Sequence, residues 1–165
     1  MPLSPCLSDL DEELASTRRM LERYPDGRGS WRPHPKSRTL GELATHVAGI
    51  PRTGLSVITA DSFDIAGRKP APPFDSAAEL LAAFDAAAAD VRKAAHAASE
   101  ADLDGTWALR AGDHVIVSGR KRDLVRRMML SHIIHHRAQL GDYYRLLDVP
   151  VPGMYGPTAD DAPRG

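Results

Sequence analysis

The 165-residue chain has 21 basic and 22 acidic side chains and a formal charge of −1, which excludes a protein that binds nucleic acid through a broad basic surface. Its single cysteine, Cys6, excludes an internal disulfide, and neither a secretory signal pattern nor an apolar run of about 18 residues occurs, so we expect a cytoplasmic protein without membrane contact. The length is typical of one domain, and we expect a single domain spanning residues 1–165.

The first half of the chain predicts two helices. Leucines and a threonine at spacings of three and four predict a helix over about 7–24, closed by the turn at 25–27. Prolines stiffen the loop at 31–37. Thr39 and Glu42 then have the spacing of a capping box, which predicts the start of helix 2. His46 lies on the apolar face of this helix, and Pro51 should bend it locally.

The second half predicts two more helices and a hairpin. A proline-rich connection at 61–75 suits a long crossover, and a second capping box, Ser76 with Glu79, opens an alanine-rich helix 3 that runs to about residue 98. Alternating apolar residues at 106–118 resemble a short β-hairpin. Helix 4 is predicted over about 120–147, and prolines end it before a terminal loop of fifteen residues.

The predicted elements give an all-α fold class. We expect a four-helix bundle with a long crossover between helices 2 and 3 and a short β-hairpin before helix 4. Helix 4 is apolar on more than one side, because Leu130, Ile133, Ile134 and Tyr144 project away from the face that carries the histidines. This surplus of apolar surface predicts a subunit contact, and we expect a homodimer.

Three of the seven histidines lie in one five-residue stretch of the predicted helix 4, at 132–136. His132 and His136, four residues apart, project about 40° apart on one helix face, so the two imidazoles can share one metal ion. Bundle metal sites draw ligands from facing helices, and His46 is the best placed third ligand. A three-histidine site keeps a coordination position for water or substrate. Zinc and nickel are the first candidates and iron a third, since imidazole suits several ions.

Other interpretations of these histidines remain open. His46, His132 and His136 could instead be core or surface side chains satisfied by hydrogen bonds. His135, on the other side of His132, fits an exposed, supporting or interface residue better than a ligand. His34 could approach the pocket mouth or lie on the surface.

Neighbouring polar residues have two interpretations each. Gln139 and Tyr143 follow the histidines on the same face and could orient a water or substrate, or pack in the core. Arg137 points away from the site, which favours an ion pair or subunit contact. The segment at 155–160 could be a flap over the pocket or a mobile terminal loop.

The chain resembles the DinB/YfiT-like metalloprotein superfamily. The resemblance covers most of the chain and is carried by RPHPKS at 32–37, LATHV at 43–47, HIIHHRAQL at 132–140 and VPGMYGPTAD at 151–160. It implies a four-helix bundle with a three-histidine metal site, whose ligands fall on His46, His132 and His136. The family more often has glycine where Ala138 stands, which leaves the ligands intact.

The resemblance also implies an activity. Relatives include S-transferases and isomerases that use bacillithiol or mycothiol, so the metal would bind a low-molecular-weight thiol as thiolate for attack on an electrophile. No glycine-rich phosphate loop, CxxC pair or Ser-His-Asp order predicts other chemistry. The alternative is a non-catalytic metal-binding stress-response protein, in which the ion stabilises the bundle or is sensed.

Overall fold

The computed structural model describes residues 4–161 and is mostly helical, with a small three-stranded sheet. In chain order the elements are a 3₁₀ turn Pro5–Leu7, α1 Leu10–Leu21, α2 Leu40–Thr59, β1 Ser62–Asp64, α3 Ala77–Ala97, α4 Glu100–Asp104, β2 Thr106–Ala111, β3 His114–Arg120, α5 Lys121–Val125, a π-helical segment Arg126–Ser131, and α6 His132–Leu146. Within the described residues, no helix combines the length and apolar character needed to cross a membrane.

Both residues predicted to open capping boxes are helix N-caps, and Thr39 forms the complete reciprocal box. Thr39 Oγ1 accepts the backbone N–H of Glu42, and the Glu42 carboxylate accepts the backbone N–H of Thr39 at 2.7 Å. Ser76 Oγ accepts the backbone N–H of Glu79 in the same way at the start of α3, but the Glu79 carboxylate accepts the backbone N–H of Asp75 and not that of Ser76, so the second predicted box is incomplete. Pro51 lies inside α2, which continues to Thr59. The predicted starts of helices 2 and 3 are therefore confirmed.

The core lies where the long helices meet. α2 packs against α3 and α6, and α1 packs against the same two helices. Their facing side chains are almost completely buried; they include Leu10, Leu14, Leu43, Val47, Phe84, Val91, Leu140 and Tyr144. Burial of each large apolar side chain contributes roughly 1.5–3 kcal/mol, so this core fixes the position of α2 relative to α6.

The chain is mostly helical and the predicted hairpin is present, but the hairpin is part of a three-stranded sheet, which the all-α fold class did not include. β2 and β3 pair antiparallel, and β1, inside the predicted crossover, pairs parallel with β2 in the register Ser62 to Ala108. Asp64 Oδ1 accepts the backbone N–H groups of Ala66 and Gly112, which joins the end of β1 to the hairpin turn. These two donors hold the pKa of the Asp64 carboxyl below its ordinary value.

The helix predicted over about 120–147 is present, but one segment of it is π-helical. The helical path from Lys121 to Leu146 contains the π-helical segment Arg126–Ser131 immediately before His132. At this segment Met129 packs directly on Gly54 of α2, where a Cβ would overlap the Met129 side chain. The π segment therefore lies where the backbones of two helices approach closely.

The structure also corrects the reason for predicting a subunit contact, which was the surplus apolar surface of helix 4. Leu130, Ile133 and Tyr144 are at most 1% exposed within the single chain, and Ile134 is partly buried. The chain itself covers the apolar surface that the sequence pattern left without a partner. The homodimer stays a prediction, without support from this surface.

Candidate metal centre

Two elements bring three histidine rings together. His46 lies in the middle of α2, His132 is the first residue of α6, and His136 follows one turn later. The ring centroids are 5.0 Å apart for His46 and His132, 4.6 Å for His46 and His136, and 4.7 Å for His132 and His136. One ring nitrogen from each residue lies within 4.8 Å of the other two. The structure thus places together the three residues that the sequence predicted as ligands.

The spacing of the ring nitrogens fits a metal ion. Nε2 of His46 and Nε2 of His132 are 3.2 Å apart. Tetrahedral donors at about 2.0–2.1 Å from an ion lie about 3.3 Å from each other. Three imidazoles also form the donor set of open sites, in which a fourth position takes water or a substrate atom.

The outer nitrogens of two rings have partners that orient the inner ones. His132 Nδ1 donates to the backbone carbonyl of Met128 at 3.3 Å, and His136 Nδ1 donates to Gln139 Oε1 at 2.7 Å. Because a carbonyl oxygen only accepts, the proton of His132 lies on Nδ1 and its Nε2 carries the free lone pair. Such contacts fix the tautomer and ring orientation of metal-binding histidines.

The site favours neutral imidazoles. Burial lowers the pKa of His46 to about 3, with smaller contributions from the positive charge of Arg38 and from the other two histidines. Burial is also the largest cause of the lowered pKa values of His132 and His136. The surroundings therefore favour the neutral imidazole in all three rings, which is the form that binds a metal ion.

Two recesses border the histidines. The larger, of about 450 Å³, lies between one face of α2 and the connection that follows β1; it is lined by Arg38, Glu42, Thr45, His46, Gly49, Ile50, Thr53, Pro70 and Ala71. Thr45 Oγ1 accepts the backbone N–H of Phe74 at 2.8 Å and so holds this connection against α2. A second recess, of about 320 Å³, includes His132 and His135 in its lining.

Comparison with known proteins identifies the family. A family model described as the DinB superfamily matches residues 9–140. The chain belongs to the DinB superfamily. This confirms the resemblance that the sequence segments carried.

Two solved structures show the DinB-like fold. The chain is similar to a DinB-like protein from Bacillus cereus, with a TM-score of 0.69 and 20% identity over 94% of this chain and 100% of that one. It is also similar to the DinB-like protein YjoA from Bacillus subtilis, with a TM-score of 0.66 and 18% identity over 89% of this chain and 96% of that one. The comparison with curated proteins gave no match.

The remaining histidines of interest lie outside the triad of this DinB-superfamily chain. The His135 side chain is exposed, and its ring centroid lies 4.8 Å from that of His136. His34 is exposed in its loop, where Nδ1 accepts the backbone N–H of Lys36. His135 is thus an exposed neighbour of the site, and His34 takes part in a local loop contact.

Gln139 and Tyr143, which the sequence placed on the histidine face, make different contacts. Gln139 contacts the site directly through His136, as described above. The Tyr143 hydroxyl donates to the backbone carbonyl of Arg38 at 3.2 Å. The ring centroids of Tyr143 and Trp31 are 5.5 Å apart, and the two rings are nearly perpendicular. Tyr143 therefore joins α6 to the loop before α2.

Arg137 lies on the opposite side of α6, in an ion pair, as the sequence favoured. Its guanidinium is 2.8 Å from Glu13 Oε2, and both side chains are buried. It also donates to Thr17 Oγ1 and to the Tyr155 hydroxyl, which in turn donates to Glu13 Oε1. Tyr155 therefore anchors the terminal segment against α1 and α6 and does not line either recess.

Sequence reasoning missed Arg38. Arg38 lines the larger recess, and its charge contributes to the lowered pKa values of all three histidines. The available signal was the spacing of polar and small residues at positions 42, 46, 49 and 53 of α2, which repeats every three or four residues; continued four residues back from Glu42, it reaches Arg38 in the loop before the helix. This pattern lines one helix face without being apolar.

Proposed function

We propose that this chain is a metal-dependent enzyme that uses a low-molecular-weight thiol, as a transferase or related detoxification enzyme. The observation that carries the proposal is the triad of neutral histidines beside a recess of about 450 Å³. A bound divalent ion would act there as a Lewis acid that holds the thiol as thiolate at neutral pH.

The side chains of this chain would hold and orient that ion. His46, His132 and His136 would be the ligands, with zinc or nickel as first candidates and iron as a third. Met128 and Gln139 fix two of the rings, and burial favours the unprotonated form of all three. The thiol would come from outside, of the bacillithiol or mycothiol type, because Cys6 does not line either recess.

Several broader features belong to the same proposal. We interpret α1, α2, α3 and the helical path 121–146 as a four-helix bundle in which the connection between α2 and α3 is the crossover. We also propose a single domain over residues 1–165, a homodimer and a cytoplasmic location. The near-neutral charge supports a small-molecule partner more than a nucleic acid.

A specific observation favours the non-catalytic alternative. His46 and His132 are 86 residues apart and lie on different helices. An ion bound between them would join α2 to α6, as in proteins where metal binding stabilises the fold. In that case metal removal would change stability or partner binding, with no turnover to lose.

Metal analysis of untagged protein, purified without chelator, tests the site. We expect near one ion per chain in the wild type and loss of that ion in both His46→Ala and the His132→Ala, His136→Ala double variant. His34→Ala and His135→Ala are matched controls, and both should keep the ion. Unchanged metal content in His46→Ala would remove this residue from the ligand set.

Thiol addition to the cobalt-loaded protein distinguishes the two functions. A shift of the visible absorption bands on thiol addition would show an open position that a thiol can reach, as the enzyme requires. Unchanged bands, together with a lower melting temperature after metal removal, would favour the stabilising or sensing role.

A further inference from the structure

The larger recess has the shape of an elongated ligand site. Its wall on α2 runs from Glu42 to Thr53, and these eleven residue steps correspond to about 16 Å along the helix axis. His46 lies near the middle of this wall. Pro70 and Ala71 form the opposite wall, which the Thr45–Phe74 hydrogen bond holds in place. The recess is thus a groove along α2 that reaches the triad at His46.

Gly49 keeps the middle of the recess open. A Cβ added at Gly49 would have no heavy atom within 4 Å, although the residue lies inside α2 and lines the recess. A longer side chain at this position would extend into free space that a ligand could otherwise fill.

Arg38 places a cation in the same recess. Between residues 4 and 161 its guanidinium has no hydrogen-bond or ion-pair partner, while its backbone carbonyl accepts from Tyr143. An arginine offers five N–H donors in a planar arrangement that matches a carboxylate. The Arg38 charge therefore faces a ligand-sized space without a protein anion bound to it.

Glu42 limits the charge that the recess can accept. Its carboxylate also lines the recess but is held by the backbone N–H of Thr39, outside ion-pair distance of Arg38. A singly charged carboxylate can pair with Arg38, whereas a phosphate dianion would meet more repulsion from Glu42. The balance of charges favours a monoanion.

We propose that the recess binds a small thiol that carries a carboxylate, with the carboxylate paired to Arg38 and the sulfur beside His46. This proposal rests on the proposed function for its thiol and on Arg38 for its carboxylate. It assigns Arg38 as the residue that selects among thiols.

Two thiols of nearly equal size test the assignment. Cobalt-loaded protein is titrated with 3-mercaptopropionate and with 3-mercaptopropionamide, and the band shifts give the dissociation constants. We expect the wild type to bind the carboxylate more tightly by on the order of tenfold, and Arg38→Gln to lose this preference. Arg32→Gln is the matched control, because Arg32 is an exposed arginine of the preceding loop that does not line the recess, and it should keep the preference.

A second variant tests the recess independently of Arg38. Gly49→Leu should weaken both thiols while leaving the metal content unchanged, because the leucine side chain enters open space in the groove and Gly49 is not one of the three ligands. Equal affinity of the wild type for the two thiols, or a preference that survives in Arg38→Gln, would overturn the carboxylate assignment and leave the proposed function intact.

Failure of the proposed function gives a different result. If neither thiol shifts the cobalt bands, the thiol chemistry is wrong, and metal-free protein is titrated with 3-(methylthio)propionate and its amide by NMR. Saturable shifts of the Arg38 side-chain N–H signals with the carboxylate alone would support the carboxylate site. Unchanged Arg38 signals would overturn it.

Discussion

Gln139 controls the orientation of one histidine of the triad. Its Oε1 accepts from His136 Nδ1 at 2.7 Å, which leaves Nε2 of the same ring free to bind a metal ion. Loss of such a supporting contact typically lowers metal affinity by about 10–100-fold. We therefore expect Gln139→Ala to bind zinc more weakly by this factor, measured by competition with a chromophoric chelator.

His135→Ala provides the control for this prediction. His135 lies beside His136 but is exposed and outside the triad, so its removal should leave zinc affinity unchanged. Equal affinities of Gln139→Ala and the wild type would show that the hydrogen bond does not orient the ligand.

At the residue scale, the sequence predicted the site residues whose positions follow from helix periodicity. His132 and His136 follow from a spacing of four residues, and His46 follows from its place on an apolar helix face. Arg38 could not be predicted in the same way. Its role depends on the wall formed by Pro70 and Ala71, and the position of that wall is set by tertiary contacts.

Two glycines of α2 should respond in opposite directions to the same substitution. Gly49→Ala adds a methyl group in open space and replaces glycine in a helix, so we expect a gain of roughly 0.5–1 kcal/mol in the free energy of unfolding. Gly54→Ala places a Cβ against the Met129 side chain, including its own Cβ, and should cost about 1–3 kcal/mol. Urea unfolding of both variants measures the difference. Equal effects would contradict the close approach of α2 and the π segment.

At the element scale, local signals were sufficient for some elements and insufficient for others. The N-caps Thr39 and Ser76 each accept a backbone N–H three residues later, so the starts of α2 and α3 could be predicted. β1 could not, because its three residues become a strand only by pairing with β2, far along the chain. The π segment could not be predicted either, because its sequence has no distinctive composition. It lies where Met129 packs on Gly54.

A buried ion pair connects the beginning of the described chain to its end. Glu13 of α1 pairs with Arg137 of α6, and Tyr155 of the terminal segment bonds to both. Removing one partner of a buried pair leaves an uncompensated charge, which typically costs about 3–5 kcal/mol. We expect Glu13→Ala to lower the free energy of unfolding by this amount, measured by urea denaturation.

An exposed ion pair is the matched control. Arg120 and Asp123 are both more than half exposed, so Asp123→Ala should cost less than about 1 kcal/mol. A similarly small cost for Glu13→Ala would mean that the terminal segment rearranges and admits water to Arg137.

The oligomeric state is the remaining prediction for the whole molecule. We expect a homodimer, although Leu130 and Ile133, on which the sequence argument relied, are buried within one chain. Static light scattering at tens of micromolar protein should give twice the chain mass of 17.9 kDa. A mass near that of one chain would contradict the dimer and agree with the burial of these side chains.

The π segment has a consequence for anyone who transplants this site into another protein. Each π turn contains one residue more than an α turn, which offsets the residues before and after it by about 100° around the helix. A graft that copies His132 and His136 onto a regular helix aligned with residues 121–125 would direct both rings to the wrong side. The histidine pair therefore has to be transplanted together with Arg126–Ser131. The partner helix also needs a glycine opposite Met129.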